Sequence, residues 1–168
     1  PAVAFDYLDP ATYDFSTTTQ IFDSLGTPQL VTTYYVKSDG PEVAPGNPNT
    51  WDIYYSALAT DGTTAIPANP NAAVLAQLEF DADGNLVTSP STATVSGMDW
   101  LNGSDPQDID LTFNTTQFNS ESSVISQEQD GFGAGELTDV GIDEDGAVIA
   151  SYANGKQVYI ANLSLATF

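Results

Sequence analysis

The sequence predicts an all-β fold: an antiparallel β-barrel or β-sandwich domain, followed by a small β-meander. Three observations carry the prediction. Runs rich in Thr, Tyr, Val, Ile and Phe alternate apolar and polar residues with the two-residue period of a strand. Asp-Gly and Asn-Gly pairs stand between such runs, where tight hairpin turns need positive φ. The one stretch that could pass for a helical turn, within Asn71–Gln77, is too short to hold as a helix alone.

The elements follow in order. Thr17-Thr-Thr-Gln-Ile-Phe22 is β-branched and aromatic, Asp23-Ser-Leu-Gly26 makes a turn, and Leu30-Val-Thr-Thr-Tyr-Tyr-Val36 completes a first hairpin. Thr32, Tyr34 and Val36 share one face of that second strand, and Val31, Thr33 and Tyr35 the other. Residues 38–50, with three prolines and two glycines, form a loop. Trp51-Asp-Ile-Tyr-Tyr-Ser56 is a third strand, with Trp51, Ile53 and Tyr55 on one side. A second loop spans 60–71. Ala76-Gln-Leu-Glu-Phe80, the turn Asp81-Ala-Asp-Gly84 and Asn85-Leu-Val-Thr88 read as a second hairpin. Residues 89–94 are a spacer, and 95–105, with Met98 and Trp100, are irregular but partly buried. Ile109-Asp-Leu-Thr-Phe113 is a strand, and 115–126 a polar connector. Beyond it come Val140–Ile142, the turn Asp143-Glu-Asp-Gly146, Val148–Tyr152, the turn at Asn154-Gly155, and Val158–Leu165: a three-stranded meander. The octads Phe80–Val87 and Ile142–Ile149 are alike, as one turn chemistry used twice would make them. A domain boundary falls near Gln127, giving units 1–126 and 127–168.

Composition narrows function. With 41% hydrophobic and 11% aromatic residues, the 168-residue chain can bury a core. Its apolar runs are strand-length, below the roughly 20 residues of a membrane-spanning helix. There is no Cys and no His, so disulfides, thiolate nucleophiles and Ser-His-Asp or Cys-His machinery cannot be built within it. Against 23 acids stand two bases, Lys37 and Lys156, for a net charge of −21. Nucleic acid needs Lys and Arg to displace counterions, so it is excluded as a partner, and anionic lipid is disfavoured. The acids read as a solvated, self-repelling surface, suited to a saline habitat that screens the repulsion. The chain opens on Pro1 rather than Met and is expected to be a piece of a longer one.

Each chemical motif has a plain structural reading beside it. Asp81–Gly84 and Asp143–Gly146 suggest calcium loops, but Gly stands fourth rather than sixth and no Glu stands twelfth, so turn chemistry fits better. Asp105, Asp108 and Asp110 near Trp100 could be a glycosidase pair, or surface acids beside a strand. Trp51, Tyr54 and Tyr55 could stack a sugar, or pack in a core. Lys37 and Lys156 could anchor acids across a subunit contact. No catalytic residue, cofactor or metal ligand is assigned, and the chain is not expected to be an enzyme.

Two groups of segments carry a family resemblance. Tyr13-Asp-Phe-Ser-Thr-Thr-Thr-Gln-Ile-Phe-Asp-Ser-Leu-Gly26, Leu30–Lys37 and Trp51–Tyr55 resemble the start of the outer domain of the bacterial flagellar hook protein. Gln129-Asp-Gly-Phe-Gly-Ala-Gly-Glu-Leu137, Ile142–Gly146, Tyr152–Gly155 and Leu163–Phe168 resemble a later stretch of the same hook and rod family. The second group is shared across that wider family; the first points to the hook subunit. Asn162 stands where the family commonly has Gln, and the loops at 38–50 and 60–71 have no counterpart. The resemblance implies a structural subunit, extracellular in the flagellum, that joins rod to filament as a homopolymer with heterologous contacts. Rod, hook-cap and hook–filament junction proteins are the implied partners. It implies terminal helical segments outside this chain, residues 1–126 as the outer domain, and 127–168 as a returning segment with open sheet edges. The chain alone is then expected to be monomeric. The alternative is an extracellular adhesin-like module that binds calcium or a glycan.

Overall fold

The computed structural model describes residues 4–38, 49–72 and 74–163. Its helical content is one 3₁₀ turn, Pro10–Thr12, capped by Asp9, whose side chain accepts from the Ala11 N–H. The strands are β1 (Phe15–Phe22), β2 (Pro28–Lys37), β3 (Thr50–Leu58), β4 (Ala65–Ile66), β5 (Ala76–Glu79), β6 (Thr92–Met98), β7 (Gln107–Thr112), β8 (Leu137–Ile142), β9 (Ala147–Tyr152) and β10 (Gln157–Asn162). All pairings are antiparallel. A five-stranded sheet runs β1-β2-β3, with β4 and β5 sharing the far edge of β3. β6 and β7 form a two-stranded ribbon, and β8, β9 and β10 a three-stranded sheet.

The ribbon packs on one face of the large sheet. Val31 and Ala57 meet Val95, Met98 and Trp100 there, and a second cluster joins Ile53, Leu78, Phe80 and Phe113. Leu111 packs against both. Alternation explains the choice of face: Trp51, Ile53 and Tyr55 all point inward, as expected from their spacing. The sheets do not close on themselves, so the architecture is the open two-layer one rather than a barrel.

The opposite face of the large sheet is covered by the N-terminal segment, which the sequence did not reveal. Phe5 stacks on Tyr54 at 4.1 Å between ring centres and lies 5.3 Å from Tyr34. The Tyr34 hydroxyl is 3.0 Å from Ser56 Oγ beneath it. Thr12 holds the segment's curl, accepting from the Asp6 N–H at 3.0 Å.

One turn recurs three times. In Asp23–Gly26, Asp81–Gly84 and Asp143–Gly146 the glycine has φ near +80° and its N–H returns to the aspartate carbonyl. The aspartate Oδ1 accepts from the N–H groups two and four residues on. Asp fits because a short carboxylate satisfies turn N–H groups that no strand reaches. The likeness of the Phe80–Val87 and Ile142–Ile149 octads reflects this turn, and the first hairpin uses the same chemistry.

Some expectations change. The stretch read as spacer and irregular chain contains β6. A bulge between Val95 and Met98, with Gly97 at φ +64°, shifts the register and hides the alternation. Asn85–Thr88 does not form a full strand: Phe80 and Leu86 make a single bridge, and the Glu79 N–H goes to Thr88 Oγ1 at 2.6 Å. Among the described residues of 71–77, which leave out Ala73, no helical turn forms: Leu75 N–H donates to Ile53 O and β5 begins at Ala76. Most of the 38–50 loop and the chain beyond Leu163 also lie outside them.

Candidate functional site

The tip of the first hairpin is tied by a single buried carboxylate. Asp23, 5% exposed, accepts from Leu25 and Thr27 N–H through Oδ1 at 3.0 and 2.8 Å. Its Oδ2 accepts from Gln29 Nε2 at 3.0 Å and Asn102 Nδ2 at 2.7 Å. Burial pushes its pKa up, but the bonds from Asn102, Thr27, Gln29 and Leu25 outweigh that and hold it below the ordinary 3.8. Asp105 N–H donates to Ser24 Oγ, and Gln107 Nε2 to Phe22 O, so the tip is joined to the loop and strand of the ribbon.

Against this tip lies the glycine-rich segment 131–135. A side chain at Gly133 would come within 3.2 Å of Phe22 Cε1, and one at Gly131 within 3.5 Å of Phe22 Cβ. Ala134 N–H donates to Gly26 O at 3.1 Å. On the other side Asn154 Nδ2 donates to Gly133 O, and Ala153 N–H to Glu136 O at 2.8 Å. Lys156 Nζ sits 5.8 Å from the centre of the Phe132 ring. An open cleft of about 430 Å³ separates the hairpin tip from Asp130, Phe132 and Lys156. A Cβ at Gly133 would press on the Phe22 ring and one at Gly135 would displace the Asn154 side chain, so the bare positions let the backbone lie close to both, whereas at Gly131 the Phe22 contact would be an ordinary one.

The residues weighed for chemistry do not converge. Asp108 Oδ1 accepts from Gly97 N–H and Asp110 Oδ1 from Thr94 Oγ1, both bracing the β6–β7 ribbon. Trp100 is fully buried, away from these exposed acids. Trp51 and Tyr55 pack inward and Tyr54 lies under Phe5 on the opposite face, so they form no platform. Trp51 Nε1 donates to Gln117 Oε1 at 3.0 Å. Asp81 and Asp143 are engaged with their own turns, and among the described residues no three His, Cys, Asp or Glu side chains gather as a metal set. Lys37 is exposed at the end of β2, where its backbone N–H donates to Asp14 Oδ2.

The hairpin tip and the glycine-rich segment are parts of the two stretches that carried the resemblance, and they touch. A family model described as the flagellar basal body protein FlaE D2 domain matches residues 1–132. The chain belongs to that family. Similar curated proteins are flagellar hook proteins FlgE. That of Escherichia coli strain K12 is 28% identical over 152 residues, 88% of this chain and 33% of the relative. That of Helicobacter pylori strain 26695 is 28% identical over 164 residues, 91% of this chain and 21% of the relative. That of Salmonella typhimurium is 25% identical over 166 residues, 98% and 38%. The crystal structure of Helicobacter pylori flagellar hook protein FlgE2 matches with a TM-score of 0.44 at 21% identity, covering 89% of this chain and 32% of that one. The chain therefore spans between about a fifth and two fifths of the length of these curated relatives.

Within the FlaE D2 family frame, the contact between residues 22–26 and 131–134 is the feature sequence reasoning missed. The signal was present in Gly131, Gly133 and Gly135, whose spacing leaves three alternate positions bare. What was lacking was the partner surface, more than 100 residues away along the chain.

Proposed function

We propose that this chain is part of a structural subunit of the bacterial flagellar hook, the flexible joint between rod and filament. The observation that carries the reading is the family match over residues 1–132, joined by hook-protein relatives that align across most of the chain. The work is mechanical: subunits form a homopolymer whose contacts repeat without closing, as a helical tube requires. An acidic surface suits contacts that are wet and can slide. The subunit is not an enzyme, lies outside the cell, and meets rod, hook-cap and hook–filament junction proteins at the ends of the tube.

Residues 1–126 form the outer domain and 127–168 return toward the middle one. The β8–β10 sheet supports that division. Leu137, Val140 and Ile142 lie opposite Tyr152, Ala150 and Val148, so they share one face, and each of the three is at least half exposed. None of this sheet's residues belongs to either core cluster among the described residues. A half-built apolar face is what a returning segment presents when the strands that complete its domain belong to another part of the polypeptide.

Deleting the gene that encodes this chain in its source bacterium tests the reading. Cells without hooks or filaments, restored by the intact gene, are expected. Normal hooks and swimming in the deletion strain would exclude it.

A further inference from the structure

The three Asp-x-x-Gly turns share more than their internal bonds. Each glycine carbonyl accepts an N–H from a distant stretch of chain: Gly26 from Ala134 at 3.1 Å, Gly84 from Gln117 at 2.8 Å, and Gly146 from Leu163 at 2.7 Å. Each glycine also lacks room for a side chain because that visiting backbone fills the space. A Cβ at Gly26 would lie 2.8 Å from Ala134 Cα and 2.9 Å from the Gly133 carbonyl carbon. One at Gly84 would strike the Gln117 carbonyl, and one at Gly146 would lie 2.6 Å from the Leu163 carbonyl oxygen.

Two other turns of the fold have the same glycine without a visitor. Gly62 and Gly155 have φ of +70° and +83°, and nothing stands within 4 Å of the position a Cβ would take. Their N–H groups return to Ala59 and Tyr152. Neither of those residues can bond the turn's N–H groups with a side-chain carboxylate. In the three visited turns the carboxylate of that residue does so; at Gly62 the carboxylate is instead that of Asp61, inside the turn, and it accepts from the Thr63 and Thr64 N–H groups beyond the glycine.

We propose that the Asp-x-x-Gly turn is this fold's docking seat for extended backbone, and that the seats at Gly84 and Gly26 together fix the second sheet against the first. The connector between them supplies the reason. Gln117 is seated on Gly84 and Ala134 on Gly26, while residues 118–130 between them are exposed throughout. Gln127 Nε2 to Thr17 Oγ1, at 2.8 Å, is a side-chain tether along the way. A connector of that length has no stiffness of its own. The angle between the sheets is therefore set where the connector is pinned, and the pin next to β8 is Gly26. Asn154, bonded to Gly133 O, carries the position of the segment on to the second sheet. The inference concerns the single chain and stands whether or not it forms a polymer.

The absence of native cysteine allows a direct test. Spin labels at Thr92→Cys on β6 and Gln157→Cys on β10 report the distance between the two bodies. The otherwise unsubstituted chain should give one narrow distribution. Gly26→Ala should broaden it and shift it to longer distances, with the tryptophan emission of the first unit unchanged. Gly62→Ala imposes the same positive-φ strain at an open turn and should leave the distribution narrow. Gly133→Val presses on Phe22 without positive-φ strain, so it repeats the test if Gly26→Ala fails to fold. A broad distribution before substitution, or a narrow one retained in both Gly26→Ala and Gly133→Val, would overturn the proposal.

Discussion

The carboxylate of Asp23 and the side-chain amide of Asn102 lie 2.7 Å apart, joining the first hairpin to a loop 79 residues further along the chain. The bond is charge-assisted, and it is one of four that the carboxylate accepts. It ties the edge of the large sheet to the ribbon on its face, and it holds the tip on which Ala134 rests.

Asp23→Asn should therefore destabilise the chain by about 1.5–3 kcal/mol, the range for hydrogen bonds to a charged group. The pH dependence has a definite sign. The folded pKa lies below the ordinary 3.8, so the contribution is complete above that value and is lost as pH falls through the lower folded one. Urea melts of both proteins should differ by a constant amount at neutral pH and converge in acid below it. A gap that stays constant down to the lowest accessible pH would contradict this role.

Asp61 is predicted to titrate at about 2. The Thr64 hydroxyl and the Thr64 and Thr63 N–H groups donate to its carboxylate, the hydroxyl at 2.6 Å. Thr64→Val removes the strongest of these and should move the titration back toward 3.8. Carboxyl carbon shifts followed by NMR from neutral pH into acid give both values; an unchanged titration in the variant would show that the hydroxyl is not responsible.

Trp100→Ala should cost about 3–5 kcal/mol, the range for truncating a fully buried aromatic side chain. The ring is 0% exposed and packs with Val31, Ala57, Val95 and Met98, so its loss opens the interface between ribbon and sheet. Leu101, its neighbour, is 59% exposed at φ +55°. Leu101→Gly removes left-handed strain of roughly 1–2 kcal/mol, partly offset by the entropy glycine adds to the unfolded chain. Thermal melts should place Leu101→Gly at or above the parent and Trp100→Ala far below it. The reverse order would mean the core is not where the structure has it.

With a net charge of −21, the folded chain repels itself. Raising salt from about 0.01 to 1 M shortens the screening length from roughly 30 to 3 Å. The melting temperature should rise across that range, most steeply at the low end. A flat response would remove the support for a surface shaped by saline conditions.

Much of this fold is legible in the sequence because its signals are local. β1 and β2 are marked by their β-branched and aromatic residues, Trp51–Ser56, Ala76–Phe80 and Ile109–Phe113 by alternation, and Asp23–Gly26, Asp81–Gly84 and Asp143–Gly146 mark turns by residue type. β6 is not legible because the Gly97 bulge adds a residue and reverses which side chains face inward. β4, only two residues long, has no period to detect. The Phe5–Tyr54 stack and the Gly26–Ala134 contact depend on pairs far apart in the chain, where sequence reveals each half but not the meeting. The acids at 105, 108 and 110 looked like a cluster because they are close in sequence; in the ribbon two of them brace backbone and hydroxyl groups of the opposite strand.

The central claim is that this chain belongs to the hook itself. Antibodies raised against the 168-residue chain and carried on gold particles can be applied to flagella isolated from the source bacterium and viewed by electron microscopy. Gold confined to the short curved segment between basal body and filament is the predicted result. Gold on the filament, or over the cell surface away from flagella, would contradict it.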